Sequence, residues 1–180
     1  MQKIPTALPD VVLLQPKVFR DARGFFMESY NRRSFSELGI EAEFVQDNHS
    51  RSAQGVLRGL HYQVRQPQGK LVRVIAGAVY DVAVDLRRHS SSFGQWTGMV
   101  LSAENSHLVW IPPGFAHGFY VLSESAEFLY KTTAYYAPEH ERCLLWNDPE
   151  LNIAWPLAGE PVLSDKDRRG LPLAQAELYE

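Results

Sequence analysis

The sequence lacks the features that mark secreted, membrane-spanning or nucleic-acid-coating proteins. Its single cysteine, Cys143, excludes an internal disulfide, and the first ten residues contain no apolar stretch of signal-peptide length. We therefore expect a cytoplasmic location. The longest apolar run, residues 74–80, is far shorter than the about 20 residues that cross a bilayer, so no membrane partner is expected. The net charge is −3 and the basic residues are dispersed, which argues against a nucleic-acid partner.

Several catalytic motifs are also absent. The chain contains no GxGxxG, GxxxxGK[ST], GxSxG or HExxH, so dinucleotide-dependent redox, P-loop, serine-esterase and zincin chemistry have no support. It contains no repeat, low-complexity tract or interdomain linker. A chain of 180 residues with 45% hydrophobic composition can remove about 70% of its unfolded surface from water as one domain. We expect residues 1–180 to form a single domain with an N-terminal strand extension and a C-terminal helical tail.

The chain is rich in short segments of alternating apolar residues that are separated by Gly, Pro, Asn and Ser. This pattern predicts an all-β fold of antiparallel strands, in a barrel or a sandwich. One helix is predicted at residues 32–38, with Asn31 as its N-cap and Gly39 beyond its end, and another in the tail after Pro172. The predicted strands are residues 11–18, 24–30, 43–51, 56–64, 70–75, 78–86, 96–102, 108–111, 117–123 and 126–135.

Two motifs, RGLHYQ at residues 58–63 and PPGFAH at residues 112–117, resemble the two halves of the metal site in a cupin barrel. Metal-binding cupins carry His-x-His with a later Glu, and then Pro-x-Gly-x-x-His. Here Gln63 occupies the second ligand position, and the nearest counterpart of the Glu is Lys70. An ammonium group repels a cation, and neither residue is a first-choice ligand for a borderline transition metal. We therefore expect a cupin-type jelly roll that uses no metal and no cofactor.

The residues that remain in this pattern are His61, Lys70 and His117, which suit acid-base chemistry on an anionic or carbonyl-bearing small molecule. Strand alternation predicts that His61 and Gln63 share a face. The same alternation points Arg58 to the opposite face of the strand. Either a bulge at the following glycine turns its side chain into the barrel, or Arg58 has a role outside the barrel.

Several separated motifs, in order, resemble the dTDP-4-dehydrorhamnose 3,5-epimerase family, whose members catalyse the third step of dTDP-L-rhamnose biosynthesis. The match runs from about residue 11 to residue 167. It implies a metal-free epimerase, a dTDP-4-keto-6-deoxy sugar as substrate, and a homodimer in which the region around residues 19–28 reaches the neighbour's site. The motifs are FRDARGFFME (19–28), VQDNHSRS (45–52), GVLRGLHYQ (55–63), QGKLVRV (68–74), WIPPGFAHGF (110–119), YKTTAYYAPEHE (130–141) and LSDKD (163–167).

The resemblance implies a role for each matching residue. His61 is expected to be the general base and Tyr130 the general acid, while Asp167 orients the imidazole. Lys70 is expected to stabilise the enolate oxygen. Tyr136 matches the aromatic residue that stacks on thymine, and its neighbour Tyr135 is the alternative. The positions that match nucleotide-, diphosphate- and sugar-binding residues are Arg23, Glu28, Gln46, Asp47, Asn48, Arg58, His117, Tyr136, Glu141 and Lys166.

The chemistry of a double epimerisation requires such a set. C3 and C5 of a 4-keto sugar both lie alpha to one carbonyl, so one pocket can act twice once the C4 oxygen is held by a cation or a donor. Inversion requires a base and an acid on opposite faces of the ring. A histidine with an ordinary pKa of roughly 6.5 and a tyrosine with one of roughly 10 can fill these two roles at neutral pH.

The residues alone also allow other interpretations. The nearest is an enzyme that inverts only C5 or only C3, as in antibiotic-sugar pathways. A metal-dependent cupin oxygenase or isomerase and a noncatalytic sugar-nucleotide-binding module belong to different classes. Taken one at a time, Tyr130 could be a barrel-wall aromatic, Lys70 a solvated turn charge, and Asp167 part of an exposed charged run.

Overall fold

The computed structural model describes residues 1–180 and consists mainly of antiparallel strands, which confirms the predicted all-β class. The two short α-helices are α1 (Arg32–Glu37) and α2 (Asp165–Arg168), and neither is long and apolar enough to cross a membrane. The strands are β1 (Gln2–Ile4), β2 (Val12–Gln15), β3 (Val18–Asp21), β4 (Gly24–Met27), β5 (Gln46–Ala53), β6 (Leu57–Gln63), β7 (Lys70–Ala76), β8 (Ala78–Asp85), β9 (Trp96–Ser102), β10 (Leu108–Ile111), β11 (Phe115–Val121), β12 (Ser125–Thr132) and β13 (Glu141–Cys143).

Two sheets carry most of these strands. The six-stranded sheet has the order β1-β2-β10-β7-β12-β5, and the five-stranded sheet has the order β13-β6-β11-β8-β9. Strands β3 and β4 form a separate hairpin. Strands that are far apart in sequence lie side by side in both sheets, as in the jelly roll of a cupin. The two expected motif halves, on β6 and β11, become direct neighbours in the five-stranded sheet.

The central core lies between the two sheets, and β8 shows how the sequence builds it. Val79 and Ala83 join the central cluster, whereas Val82 and Val84 join a second cluster on the outer face of the five-stranded sheet. The chain that follows β13 covers this outer face and contributes Leu144 to the second cluster. Because both faces of β8 are covered, its sequence is almost continuously apolar and does not alternate.

Helix α1 covers the outer face of the six-stranded sheet. Its Phe35 is 1% exposed and packs with Leu14, Leu71 and Leu108. The predicted N-cap is confirmed, since the side chain of Asn31 accepts hydrogen bonds from the first amides of the helix. A helix this short depends on its buried aromatic residue and its cap, because one or two turns are not stable alone.

The predicted strand at residues 11–18 is wrong in one respect, because it is two strands. Strand β2 ends at Gln15, before Pro16, and β3 pairs with β4 instead of joining a sheet. Proline has no amide hydrogen to donate to a ladder, so a break at this position has a local cause. Strands β1 and β13 were not predicted, since each has three residues and too little pattern to detect.

The predicted helix after Pro172 is also wrong. The segment contains one 3-10 turn, Leu173–Gln175, and otherwise runs without regular structure. Leu173 and Ala176 are buried in the second cluster, so the tail is held by packing on the sheet. The helix that does form near the C-terminus, α2, begins after its N-cap Ser164 and was missed.

Candidate active site

A cavity of about 350 Å³ lies between the two sheets and is lined mainly by polar side chains. Strands β5, β7 and β12 line it from the six-stranded sheet, and β6, β11 and β13 line it from the five-stranded sheet. Most of the residues that the sequence singled out meet here. The lining residues are Gln46, Asn48, Ser50, Arg58, His61, Gln68, Lys70, His117, Gly118, Phe119, Phe128, Tyr130, Tyr136, Glu141 and Lys166.

His61 and Asp167 form a hydrogen-bonded pair at this cavity. The distance between His61 Nε2 and Asp167 Oδ1 is 2.6 Å, and the Asp167 side chain is almost wholly buried. Burial favours the neutral carboxyl, but hydrogen bonds from His61 and Ser164 outweigh it and hold the pKa of Asp167 at about 2. An ionised carboxylate only accepts hydrogen bonds, so Nε2 of His61 carries the proton. The lone pair of the imidazole is then on Nδ1, which is the nitrogen that can act as a base.

Asp167 reaches His61 because of the way α2 begins. Ser164 caps the helix by accepting a hydrogen bond from the Asp167 amide, and its hydroxyl donates to Asp167 Oδ2 at 2.6 Å. The Gly59 amide donates to Asp167 Oδ1 at 3.2 Å. The pattern Ser-x-x-Asp is a helix-start signal, so the sequence held a clue to this geometry.

Tyr130 and Lys70 lie on the opposite sheet from His61. Burial raises the pKa of Tyr130, with a further contribution from the negative charge of Glu141, so its hydroxyl keeps its proton at neutral pH. Lys70 is 9% exposed, and its Nζ lies 3.5 Å from the carbonyl oxygen of His61. Burial lowers the pKa of Lys70 to about 8, against an opposing attraction to Asp81. The cavity therefore contains a proton donor and a cation that remains mostly charged at pH 7.

A bulge settles the direction of Arg58. The pairing between β6 and β11 shifts register beside Gly59, so Arg58 and His61 line the same cavity. Gly59 has a φ of +124°, and a Cβ on it would lie 2.6 Å from the Gly118 Cα. Only glycine allows the two backbones to approach this closely. Of the two orientations that strand alternation left open, the one that requires the bulge is the one observed.

His117 is paired with a residue that sequence analysis missed. His117 is 7% exposed, and its Nε2 lies 2.8 Å from Oδ2 of Asp81 on the neighbouring strand β8. Burial lowers the pKa of His117, although Asp81 opposes this shift, so the ring is neutral at pH 7. Asp81 is wholly buried, and its Oδ1 has no hydrogen-bond partner. An aspartate within the apolar sequence of β8 was the available signal.

Tyr136 lines the cavity, whereas Tyr135 does not. Tyr136 is also part of a small network of polar side chains. The hydroxyl of Tyr136 donates to Glu141 Oε2 at 2.9 Å, and Lys166 Nζ donates to Glu141 Oε1 at the same distance. The backbone amide of Tyr136 donates to Gln46 Oε1 at 3.0 Å. This network places one aromatic face, one cation and one carboxylate at the same end of the cavity.

Comparisons with known proteins agree on one family, because the family model of dTDP-4-dehydrorhamnose 3,5-epimerase matches residues 5–175. The chain belongs to this family. It is 65% identical to the dTDP-4-dehydrorhamnose 3,5-epimerase of Pseudomonas aeruginosa, with 99% of each chain covered. It is 58% identical to that of Salmonella typhimurium, with 98% of each covered.

Solved structures of the epimerase family give the same result for the fold. The dTDP-6-deoxy-D-glucose-3,5-epimerase of Legionella pneumophila Philadelphia 1, solved in complex with dTDP-4-keto-L-rhamnose, superimposes with a TM-score of 0.97. The two chains are 52% identical, and the match covers 99% of this chain and 97% of that one. The resemblance on which the sequence analysis rested is therefore confirmed over nearly the whole chain.

Three residues that match binding positions of the epimerase family lie outside the cavity within a single chain. Arg23, on the β3–β4 hairpin, forms an exposed ion pair with Asp21 at 2.6 Å. Glu28 accepts hydrogen bonds from two side chains at the start of α1. Asp47 points away from its neighbours on β5 and pairs with Lys131 at 2.8 Å. Within a single chain, these three residues do not line the cavity with the other predicted site residues.

The side chains around the His61–Asp167 pair suit proton transfer better than metal binding. His61, Cys143 and Asp167 each place one potential ligand atom within 4.8 Å of the others. However, Nε2 and Oδ1 are already joined in a hydrogen bond, and burial raises the pKa of Cys143 to about 12. Since the thiolate is the form that ligates a metal, this cysteine is a poor ligand in its resting state.

Proposed function

We infer that this chain inverts C3 and C5 of dTDP-4-dehydro-6-deoxy-D-glucose to give dTDP-4-dehydro-L-rhamnose. The observation that carries this inference is the position of the acid-base pair. His61 lies on β6 of the five-stranded sheet and Tyr130 on β12 of the six-stranded sheet, with the cavity between them. A sugar ring in the cavity meets the base on one face and the acid on the other. Family membership and 65% identity to a dTDP-4-dehydrorhamnose 3,5-epimerase support the same reaction.

Proton removal falls to His61. Nδ1 accepts the proton from C3 or C5, and the imidazolium that results is stabilised by the ionised Asp167 on its other nitrogen. The electron pair of the broken C–H bond moves into the enolate, so negative charge develops on the C4 oxygen. The Lys70 ammonium is the buried cation of the cavity, and we assign it to that oxygen.

Proton return on the opposite face falls to Tyr130. Its raised pKa keeps it protonated until the enolate is formed, and the strongly basic carbanionic carbon then takes the proton. The phenolate regains a proton from water, and His61 loses its proton in the same way. The two carbons are equivalent in this chemistry, because each is alpha to the same ketone. One pair of residues therefore serves both inversions.

We assign the other end of the cavity to the nucleotide. Tyr136 offers an aromatic face for thymine, and Arg58 and Lys166 offer positive charge for the diphosphate. His117, held neutral by burial, is a hydrogen-bonding group near the sugar. The side chains assigned to substrate binding within one chain are Gln46, Asn48, Arg58, His117, Tyr136, Glu141 and Lys166.

We further propose a homodimer in which the β3–β4 hairpin of one protomer completes the neighbour's site. Three aromatic residues on this hairpin, Phe19, Phe25 and Phe26, are between 53% and 71% exposed in the single chain. Phe19 and Phe26 lie directly opposite each other across the hairpin, and Phe25 points to its other face, so both faces of the hairpin expose large apolar side chains. Exposed apolar surface of this kind suits a protein interface. Arg23 is on the same hairpin and would add positive charge at the diphosphate. Sedimentation that showed a fully active monomer would contradict this assembly.

The experiment that tests the reaction is NMR of the dTDP-4-keto sugar with the enzyme in D2O. Deuterium should enter at both C3 and C5, and product with both centres inverted should accumulate. Exchange at C5 alone, with C3 untouched after long incubation, would assign the chain to the single-carbon epimerases. Binding without any exchange would leave only the noncatalytic sugar-nucleotide-binding interpretation.

A further inference from the structure

Gln63 is a buried residue that the proposed mechanism does not use. It occupies the position at which metal-binding cupins have their second histidine, and it is 3% exposed. Its amide makes three hydrogen bonds to backbone groups. Nε2 donates to the carbonyl oxygen of Gln66 at 2.9 Å and to that of Tyr135 at 3.2 Å, and Oε1 accepts from the Ala137 amide at 2.9 Å.

Two of these bonds hold the peptide groups on either side of Tyr136. The carbonyl of Tyr135 precedes that side chain and the amide of Ala137 follows it, so the Gln63 amide clamps the backbone on both sides. The amide of Tyr136 itself is held from the other sheet by Gln46. The segment has no regular secondary structure between β12 and the 3-10 turn at Pro138–His140, so side chains supply these contacts.

Gln63 also has a fixed relation to the catalytic base. It lies two residues after His61 on β6, beyond the bulge, so the two side chains share a face of the strand. Strand β6 is paired on both sides, by β11 and by β13, which leaves it little freedom to move. The amide of Gln63 therefore sets the distance between the residue that removes the proton and the loop that carries Tyr136.

We propose that Gln63 is a positioning residue for the nucleobase end of the site, which holds Tyr136 in place relative to His61. The proposal rests on the assignment of Tyr136 to the nucleotide. A loop that is already ordered loses less conformational entropy when a pyrimidine nucleotide binds, so the clamp contributes to affinity. The position that serves a metal in other cupins thus serves substrate binding here, through an amide that can both donate and accept.

The test compares nucleotide binding and turnover in Gln63→Met. Methionine has a similar length and volume, so the variant loses the three hydrogen bonds without leaving a large cavity. We expect the Kd for dTDP, measured by calorimetry, to rise about tenfold, and the KM of the sugar nucleotide to rise with it, while kcat falls less than about threefold. Hydrogen exchange at the Ala137 amide should be faster. A loss of kcat with unchanged dTDP affinity would overturn the proposal.

A second variant and a matched control keep the test decisive. Gln63→Glu retains an acceptor for Ala137 but sets a carboxylate against two carbonyl oxygens, so its dTDP affinity should fall at least as far. Gln54→Met removes one side-chain bond, to the Leu122 carbonyl, in an exposed turn, and should leave the Kd unchanged. Equal losses of affinity in the Gln54 and Gln63 variants would refute a specific clamp.

Tyr136→Ala separates failure of this proposal from failure of the nucleotide assignment. If Tyr136→Ala binds dTDP normally, the role assigned to Tyr136 is wrong, and the clamp has no nucleobase residue to position. If Tyr136→Ala binds weakly but Gln63→Met binds normally, only the clamp is wrong. If the nucleotide role of Tyr136 and the Gln63 clamp are both right, the double variant Gln63→Met/Tyr136→Ala should bind dTDP about as weakly as Tyr136→Ala alone. The reason is that the clamp acts only through the tyrosine.

Discussion

Replacement of Asp167 by asparagine tests the central pair of the site with almost no change in shape. The carboxylate of Asp167 accepts from His61 Nε2, from the Gly59 amide and from the Ser164 hydroxyl. An asparagine can keep its oxygen toward His61 and turn its amide toward Ser164, whose hydroxyl can also accept. The variant therefore removes the negative charge and leaves the hydrogen-bond pattern largely in place.

The size of the expected effect follows from that charge. A hydrogen bond to a charged group contributes about 1.5 to 3 kcal/mol, and the carboxylate makes this contribution most strongly when His61 becomes an imidazolium. At about 1.4 kcal/mol for each factor of ten, kcat should fall by about tenfold to a hundredfold. The dTDP affinity should stay unchanged, because Asp167 lies behind the imidazole and does not line the cavity.

The difference in the free energy of unfolding between the parent protein and Asp167→Asn should depend on pH. The folded-state pKa of Asp167, about 2, is below its ordinary value of 3.8, so its contribution to the free energy of unfolding is present above pH 4. That contribution is lost as the pH falls toward 2, and it amounts to about 2 kcal/mol. Asp167→Asn should therefore be less stable than the parent at pH 7, and this difference should shrink in acid.

The assay measures deuterium entry and product formation at a temperature where both proteins are folded. Asp148 provides a matched control, because it is also a buried aspartate that accepts backbone amides, of Glu150 and Leu173 among others, but it does not line the cavity. Asp148→Asn should lower stability and leave kcat unchanged. Full activity of Asp167→Asn, or an equal loss of activity in both variants, would refute the assignment of Asp167 to the base.

The proposed acid, the buried lysine, the absence of a metal requirement and the hairpin arginine can each be tested separately. Tyr130→Phe should still exchange substrate protons in D2O but largely retain configuration, and equal loss of exchange and inversion would instead give Tyr130 a role in enolate stabilisation or binding. Turnover should fall as the pH rises through about 8, where the Lys70 ammonium is lost, and Lys70→Met should be slow at every pH. Activity should survive exhaustive chelation; an essential stoichiometric metal would contradict the acid-base mechanism. Arg23→Ala should raise KM with little change in kcat, and unchanged dTDP affinity would show that the hairpin arginine is outside the site.

The fold class, the family and most of the residues that line the cavity could be predicted from the amino-acid sequence. Period-two patterning with turn residues between segments is local information, so it located most of the strands. It misplaced several strand ends, did not separate β2 from β3, and missed the three-residue strands β1 and β13. His61, Lys70 and His117 were found because their chemistry is conspicuous in motifs with fixed spacing, whereas Tyr130 was singled out only through the family resemblance. The sequence also showed Gln63 at the second ligand position of the cupin motif, but from this we could predict only the loss of a metal ligand.

Features that depend on contacts between distant segments of the chain could be read only from the folded structure. The family resemblance implied that Asp167 orients His61, but the two residues are 106 positions apart in the chain, and it is the packing of α2 on β6 that brings them together. The direction of Arg58 depends on a register shift against another strand, which no pattern within β6 records. The partnership of Asp81 with His117 and the clamp of Gln63 on the Tyr136 loop arise in the same way. Side-chain identity is encoded locally, but the partner of a buried polar group is set by which strands become neighbours.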